Sequence, residues 1–404
     1  MSRSQLIAMA RNDLQHGRNG TLEQVDDILR VPVENYFDAA RWQAEKAQIF
    51  RRLPLMLAAS AELPEPGNYK AMDAAGVQVL LTRNRQGQAK AFVNMCSHRG
   101  AVLVENGHGS AYRFTCPYHA WSYSPDGDLV AVYAADEFGD IDKTCHGLTE
   151  LNCLERAGLI WASLDVNSSL DIAEFLSGYD EMLSEFGFAD WHFQHAQVVH
   201  GPNWKVAYDG YLDYYHLPIL HKDTFGGDMS HKANYYHWGP HMHLGRPDTS
   251  WEEFAELPEA EWPQEKLVAG VWTIFPHISI ASFSGGGRSV MISQLFPGDT
   301  PQSSTTTQIF LMEEPPADEA QAAEAQQQFD FLKYVVEKED YATGLALQKN
   351  LSVGAKSHVM FGRNEGGGQR FHRWVDTLLN TSDADLPGLF AQADRESDQQ
   401  VDSA

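Results

Sequence analysis

The sequence predicts an α+β chain built from a small all-β domain and a larger domain of antiparallel strands and helices. Three observations predict it. At 404 residues the chain exceeds the size at which one hydrophobic core stops growing, so two domains are expected. From Asn68 to Leu164 it runs in short alternating segments broken by turn signals, the texture of many short strands. Beyond Leu164 the pattern is mixed, and successive strands precede a long helical stretch.

Taken in order, residues 38–52 open on an N-cap type, Asp38, and put Trp42, Ile49 and Phe50 at helical spacing, which predicts a helix. Within the β stretch, Gln86 and Gly87 close a hairpin, and Pro125, Asp126 and Gly127 form another turn. A helical segment is expected in DIAEFLSGYDEMLSEFGF, followed by an aromatic-rich run from Tyr208 to Tyr215. Residues 271–283, 289–296 and 305–312 read as antiparallel strands, with Gly285, Gly286 and Gly287 supplying a turn. From Ala317 to Gln348 helix formers dominate, and Phe329, Leu332, Tyr334, Val335 and Val336 give that helix an apolar side. The C-terminal QADRESDQQVDSA is polar and expected to fray.

Composition narrows the partners. Lys plus Arg is 30 against 55 for Asp plus Glu, a net charge of −25 that repels phosphate backbones and anionic membrane surfaces. Neither nucleic acid nor membrane is therefore an expected partner. The longest mainly apolar run, Leu53 to Ala61, is about half of the ~20 residues that span a bilayer, and the first twenty residues lack the apolar stretch of a secretory signal. Four cysteines cannot staple a chain this long, and two of them sit in histidine-bearing patterns, which favours metal chemistry in a reducing compartment. The cytoplasm is the expected location.

The first of these patterns is Cys96-Ser97-His98, then seventeen residues, then Cys116-Pro117-Tyr118-His119. It offers two thiolates and two imidazoles. In a Rieske centre two cysteines hold one iron and two histidines the other, and neutral imidazole in place of thiolate raises the reduction potential. A structural zinc site accepts the same donors, but finger-like sites put both cysteines in one arm and both histidines in the other, whereas here each arm gives one of each. Cys145 and Cys153 have no comparable pattern and are expected to be buried thiols.

The second pattern lies in residues 203–221, where Asp213, His216 and His221 occur together. Three residues apart on a helix, Asp213 and His216 share a side, so the carboxylate can orient the imidazole. Pro218 is expected to kink or stop that helix and let His221 swing to the same metal. Two histidines need a carboxylate to complete the facial triad of a non-haem Fe(II) oxygenase. For acidic residues on the late amphipathic helix, the ordinary expectation is a solvated face. His237, His241 and His243 are read as part of a long loop rather than as another metal site, and His277 as a strand residue packed in the sheet, with lining of a substrate cavity as the alternative.

CSHRG followed by CPYHAWSY closely resembles the cluster-binding loops of Rieske non-haem iron oxygenases, the ring-hydroxylating oxygenase alpha subunit family. The second motif stands in the expected order after it, so the resemblance covers nearly the whole chain. It implies a 2Fe-2S cluster on Cys96, His98, Cys116 and His119, with Pro117, Tyr118 and Trp121 shaping and shielding the second loop. It also implies a mononuclear Fe(II) on His216, His221 and Asp340, with Glu337 and Glu339 as local competitors for the third place. Residues 1–45 would then be the N-terminal helical part of the catalytic domain, 46–165 the Rieske domain, and 166–404 the catalytic domain, whose sheet is of the helix-grip type.

The resemblance further implies a homotrimer, or a trimer with a small beta subunit, in which the cluster of one subunit serves the iron of its neighbour. Asp213 would bridge a cluster histidine, expected to be His119, to His216. Gly210 stands where relatives often carry asparagine, and Asp209 where they often carry glutamate. The activity implied is O2 activation at the iron, followed by hydroxylation, dihydroxylation or oxidative demethylation of a small, aromatic or cyclic organic substrate. Nothing in the chain binds nicotinamide or flavin recognisably, so electrons are expected from a reductase, directly or through a ferredoxin, docking near His98, His119 and Arg99. Tyr208, Tyr211, Phe225, Trp272 and Phe283 are the expected cavity lining. The rival reading is a non-catalytic Rieske electron-transfer protein or a zinc-stabilised binding module.

Overall fold

The computed structural model describes residues 2–393, so most of the polar C-terminal tail lies outside the described residues. Two compact units are present: Phe50–Ile172 with Phe188–Asp190, and a larger unit made of the remaining segments. The expected α+β architecture holds.

The smaller unit is all-β in its regular core. Strands Ala89–Val93, Val77–Arg83, Asn68–Ala74 and Gly107–Ser110 form one antiparallel sheet in that order. A second sheet runs Cys153–Arg156, Leu159–Ser163, Pro54–Ala59. The apolar run at Leu53 to Ala61 is thus mostly a buried strand. A third sheet joins Phe114–Thr115, Ser122–Tyr123 and Leu129–Ala131. The turns at Gln86-Gly87 and Pro125-Asp126-Gly127 fall where expected, because Gly87 and Gly127 take positive φ, which L side chains rarely adopt. Leu80, Phe92, Phe114, Trp121 and Tyr123 pack with Cys96 and Cys116 in one core.

In the larger unit a seven-stranded antiparallel sheet runs in the order His192–Gly201, Ser304–Met312, Ser289–Pro297, Ile278–Phe283, Val271–Ile274, His241–Gly245, Asn234–Trp238. Two expectations change here. Residues 271–283 are two strands, not one, because the chain reverses at Phe275-Pro276-His277 and Ile274 pairs with Ile278. The histidine-rich segment is a hairpin, not a long loop. Trp238 pairs with His241 and Tyr236 with His243, so alternate side chains, His241 and His243 among them, go into the core. Burial pushes His241 down to about 4 and His243 to about 3, so both are neutral packing residues.

The long helix predicted at 317–348 is also interrupted. Helix Glu319–Val335, capped by the Asp318 side chain, passes into a π-helical segment, Val336–Asp340, before helix Tyr341–Leu351. The N-terminal helix Ala39–Glu45 behaves similarly, with Asp38 capping Arg41 N–H as expected and a π segment, Lys46–Arg51, following. Glu45, fully buried, accepts from the Trp204 indole at 2.8 Å and pairs with the buried Lys205 ammonium. That buried pair anchors helix Trp204–Asp209, which leads into the metal-motif segment.

The helix Ser2–Asn19, within the segment expected to be the N-terminal helical part of the catalytic domain, buries Asp13 against the hairpin. Its carboxylate accepts from Tyr236 Oη at 2.8 Å and Asn234 Nδ2 at 2.7 Å, and burial outweighs those bonds, pushing its pKa from 3.8 up to about 7. A folded pKa above the unfolded one means that the folded state holds the proton more tightly. Its contribution is complete below about pH 4 and is lost as pH rises to about 7, by on the order of 4 kcal/mol. Asp13→Asn, which mimics the protonated acid, is therefore expected to equal wild type in urea stability at pH 4 and to exceed it increasingly up to pH 7–8. A stability difference that does not change with pH would contradict this reading.

Candidate functional site

The two motif loops of the smaller unit share one backbone design. Cys96 N–H donates to Ala101 O at 2.8 Å and Gly100 N–H to Cys96 O at 2.9 Å; Cys116 N–H donates to Trp121 O at 2.7 Å and Ala120 N–H to Cys116 O at 2.9 Å. Gly100 (φ +79°) and Ala120 (φ +60°) occupy equivalent left-handed positions, and at Ala120 that conformation carries a Cβ penalty. Each loop thereby holds a buried thiol and, two or three residues on, a half-buried imidazole.

His98 and His119 lie with ring centroids 4.7 Å apart, and His98 stacks on the buried Trp121 at 4.9 Å. Tyr118 tilts over His119 at 3.7 Å, but it is 58% exposed, so it covers one ring rather than sealing the loop. Tyr123 Oη lies 3.2 Å from Cys96 Sγ and accepts from Ser97 N–H at 3.0 Å; burial, then the Cys96 contact, pushes that phenol up to about 12. Desolvation, then the charges of His119 and Arg99, holds His98 below its usual range. His98 Nδ1 is buried with no hydrogen-bond partner among the described residues, a state that costs ~1–3 kcal/mol unless a metal takes the lone pair. Two buried thiols, two imidazoles and that orphaned nitrogen fit a 2Fe-2S cluster. Cys145 proves exposed and Cys153 half-buried, so neither is the fully buried thiol expected.

In the larger unit, the Asp213–His216 relation arises differently from the helical one predicted. Helix Trp204–Asp209 has already ended, and Asp213 Oδ1 accepts both His216 N–H at 3.1 Å and His216 Nδ1–H at 3.0 Å, a turn closed by the carboxylate itself. Pro218 begins rather than breaks the next helix, Leu217–Leu220, because in a first turn its missing N–H costs nothing. One turn later the helix delivers His221 at its C-cap, almost fully buried.

Asp340 ends the π-helical segment, and its Oδ1 lies 3.3 Å from His221 Nε2 and 3.7 Å from His216 Nε2. One donor atom from each of the three residues lies within 4.8 Å of the others, a convergence that lets one ion draw all three as ligands with a small closing of the side chains. Glu339, a competitor for the third place, faces the other side of His221. Its Oε2 accepts from His221 Nδ1 at 2.6 Å and from Thr224 Oγ1 at 2.9 Å. Both imidazoles thus have Nδ1–H fixed by a carboxylate and Nε2 turned toward Asp340, the tautomer a metal needs. Burial alone would lower His221, but Asp340 and Glu339 outweigh it and raise its pKa. The donor set fits a mononuclear divalent iron. Sequence reading missed Glu339 in this positioning role.

Above the triad opens a cavity of about 260 Å³ that is mainly apolar. Tyr211, Phe225 and Phe283 line it as expected. Tyr208 and Trp272 do not; Tyr208 Oη donates to Ile278 O and Trp272 Nε1 to Val268 O, so both are core. His277 is buried beside Phe296 and is not part of the lining. Asp209 accepts from Tyr36 Oη at 2.8 Å and contacts His372 Nε2 at 3.0 Å, a buried network behind the site.

Residues 54–150 match the family model of the Rieske [2Fe-2S] domain, and 188–381 that of the ring hydroxylating alpha subunit catalytic domain. The anthranilate 1,2-dioxygenase large subunit of Acinetobacter baylyi is 27% identical over 48% of this chain and 43% of its own length. The carnitine monooxygenase oxygenase subunit of Acinetobacter baumannii is 28% identical over 59% of this chain and 64% of its own. The match therefore spans less than two thirds of either relative. A quaternary ammonium Rieske monooxygenase solved with an inhibitor has the same fold, with a TM-score of 0.73 at 21% identity, covering 89% of this chain and 100% of that one. Among the described residues no helix is long and apolar enough to cross a membrane. With one unit built around a cluster-binding motif and the other around an iron triad, the chain belongs to the Rieske oxygenases, carrying a Rieske [2Fe-2S] domain and a catalytic domain that binds mononuclear iron.

Proposed function

We propose that this chain is the oxygenase component of a multi-component mono- or dioxygenase that inserts oxygen from O2 into a small organic substrate. The observation that carries the reading is the convergence of His216, His221 and Asp340 beneath a mainly apolar cavity of about 260 Å³. A pure electron carrier has no use for a second metal triad opening on a cavity, nor has a zinc-stabilised binding module. In this reading Cys96, His98, Cys116 and His119 hold the cluster, and His216, His221 and Asp340 the iron. Residues 46–165 form the electron-receiving domain, with 1–45 and 166–404 forming the catalytic one.

When bound, the two metal groups supply reducing equivalents and O2 activation. The chain's own residues do the rest. Asp213 and Glu339 hold the two imidazoles in one tautomer and orientation. Phe225, Phe283, Met291 and Leu332 exclude water and present the substrate's apolar surface to the triad. Asp213, bonded to His216, is proposed as the link to the cluster of an adjacent subunit in a trimer, with or without a small beta subunit. Electrons come from a separate reductase or ferredoxin that meets the half-exposed histidine edge, and free thiols suit the cytoplasm.

The test is turnover of the metal-replete protein with a surrogate reductase on aromatic acids, methyl ethers and quaternary amines. At least one class is expected to stimulate oxygen uptake and give an oxygenated or demethylated product in proportion. Substrate-independent uptake across all three classes would contradict the proposal.

A further inference from the structure

We infer that Arg246 selects a carboxylate-bearing substrate, anchoring the anion while the apolar remainder lies toward His216, His221 and Asp340. The inference rests on the oxygenase reading, which makes this cavity the substrate's. Among the described residues lining it, Arg246 is the one permanent cation, and the only acids, Asp213 and Asp340, belong to the metal end. A second chamber of about 320 Å³ adjoins it, and Arg246, Gly270 and Ser282 line both. Arg246 therefore stands at the junction of the two spaces.

The local backbone keeps it there. Arg246 follows strand His241–Gly245, whose Leu244 pairs with Val271. Gly270, at φ +106°, passes so close that a Cβ would meet Leu244 O at 2.5 Å. The ion-pair contact of Arg246 is Asp248 at 3.9 Å, beyond hydrogen-bond reach and half exposed. A pair that long contributes little and does not saturate a fork of five donors. Planar guanidinium meets carboxylate in two parallel hydrogen bonds, which a neutral amide cannot reproduce. A quaternary ammonium ligand meets like charge at the same point, so the arrangement also excludes cations.

The test is calorimetric binding to wild-type, Arg246→Lys and Arg246→Gln holoenzyme. The probes are benzoate, phenylacetate and 3-phenylpropionate, each against its neutral amide, with benzyltrimethylammonium as the cation. Wild type is expected to bind at least one acid about tenfold or more tightly than its amide, and the cation weakest. Arg246→Gln should erase that preference without weakening the amide, and Arg246→Lys should restore part of it. Equal binding of acid and amide to wild type, an acid preference that survives in Arg246→Gln, or no acid binding up to ~10 mM each overturns the proposal. Iron content and the reduced-state EPR spectrum should be unchanged in the variants. Loss of the oxygenase reading would appear there, in wild type as well, and independently of which probe binds.

Discussion

Asp340→Ala is expected to lower iron from about three to about two per chain, to leave the cluster signal untouched, and to reduce turnover by at least ~100-fold. The expectation follows from geometry. Asp340 Oδ1 is the carboxylate oxygen near both imidazole Nε2 atoms, at 3.3 and 3.7 Å. Glu339 is already engaged at His221 Nδ1 and Thr224, on the opposite side of the ring. Glu339→Gln should therefore weaken iron by roughly 10–100-fold without abolishing its binding. Metal analysis of the purified variants checks both. If Asp340→Ala keeps its full iron while Glu339→Gln loses it, the ligand assignment is reversed.

Asp213→Asn is expected to separate metal holding from electron delivery. Asparagine keeps an oxygen that can accept from His216 N–H and Nδ1–H, so the turn that replaces the predicted helix should survive and both metals should remain. What is lost is the negative charge beside His216 and, in the proposed trimer, the charged link to the neighbouring cluster. Turnover should fall by roughly 10–100-fold while cluster reduction by the donor stays at its wild-type rate. Asp213→Ala, which removes the oxygen as well, should additionally loosen iron. A purely structural Asp213 predicts that Asn is tolerated with full turnover, and that result would remove its electron-bridging role.

The parts of this site readable from sequence are those whose donors are close in the chain. Each cluster loop carries a cysteine and a histidine two or three residues apart, and the loop geometry follows locally, down to the matched left-handed residues Gly100 and Ala120. Asp213, His216 and His221 likewise sit in one short segment, although it is an Asp-closed turn and a Pro-started helix that aim them rather than a kinked helix. Asp340 is different. Nothing in EKEDYATG signals the i→i+5 bonding of Val336–Asp340, because π-helix has no propensity signature distinct from α-helix; only a family resemblance pointed to it. Aromatic side chains were equally ambiguous, since Tyr208 and Trp272 in the core and Tyr211 and Phe283 in the cavity occupy similar sequence textures. The hairpin of His237, His241 and His243 was missed because histidine, glycine and proline resemble loop composition, and only strand pairing reveals the buried alternation.

The measurement that reaches the central claim most directly is iron content together with low-temperature EPR of the dithionite-reduced wild-type protein. The two-metal assignment predicts about three irons per chain, a Rieske-type signal from the cluster, and loss of about one iron without change in that signal in Asp340→Ala. About one zinc per chain with no such signal, or a cluster signal accompanied by only about two irons, would contradict it.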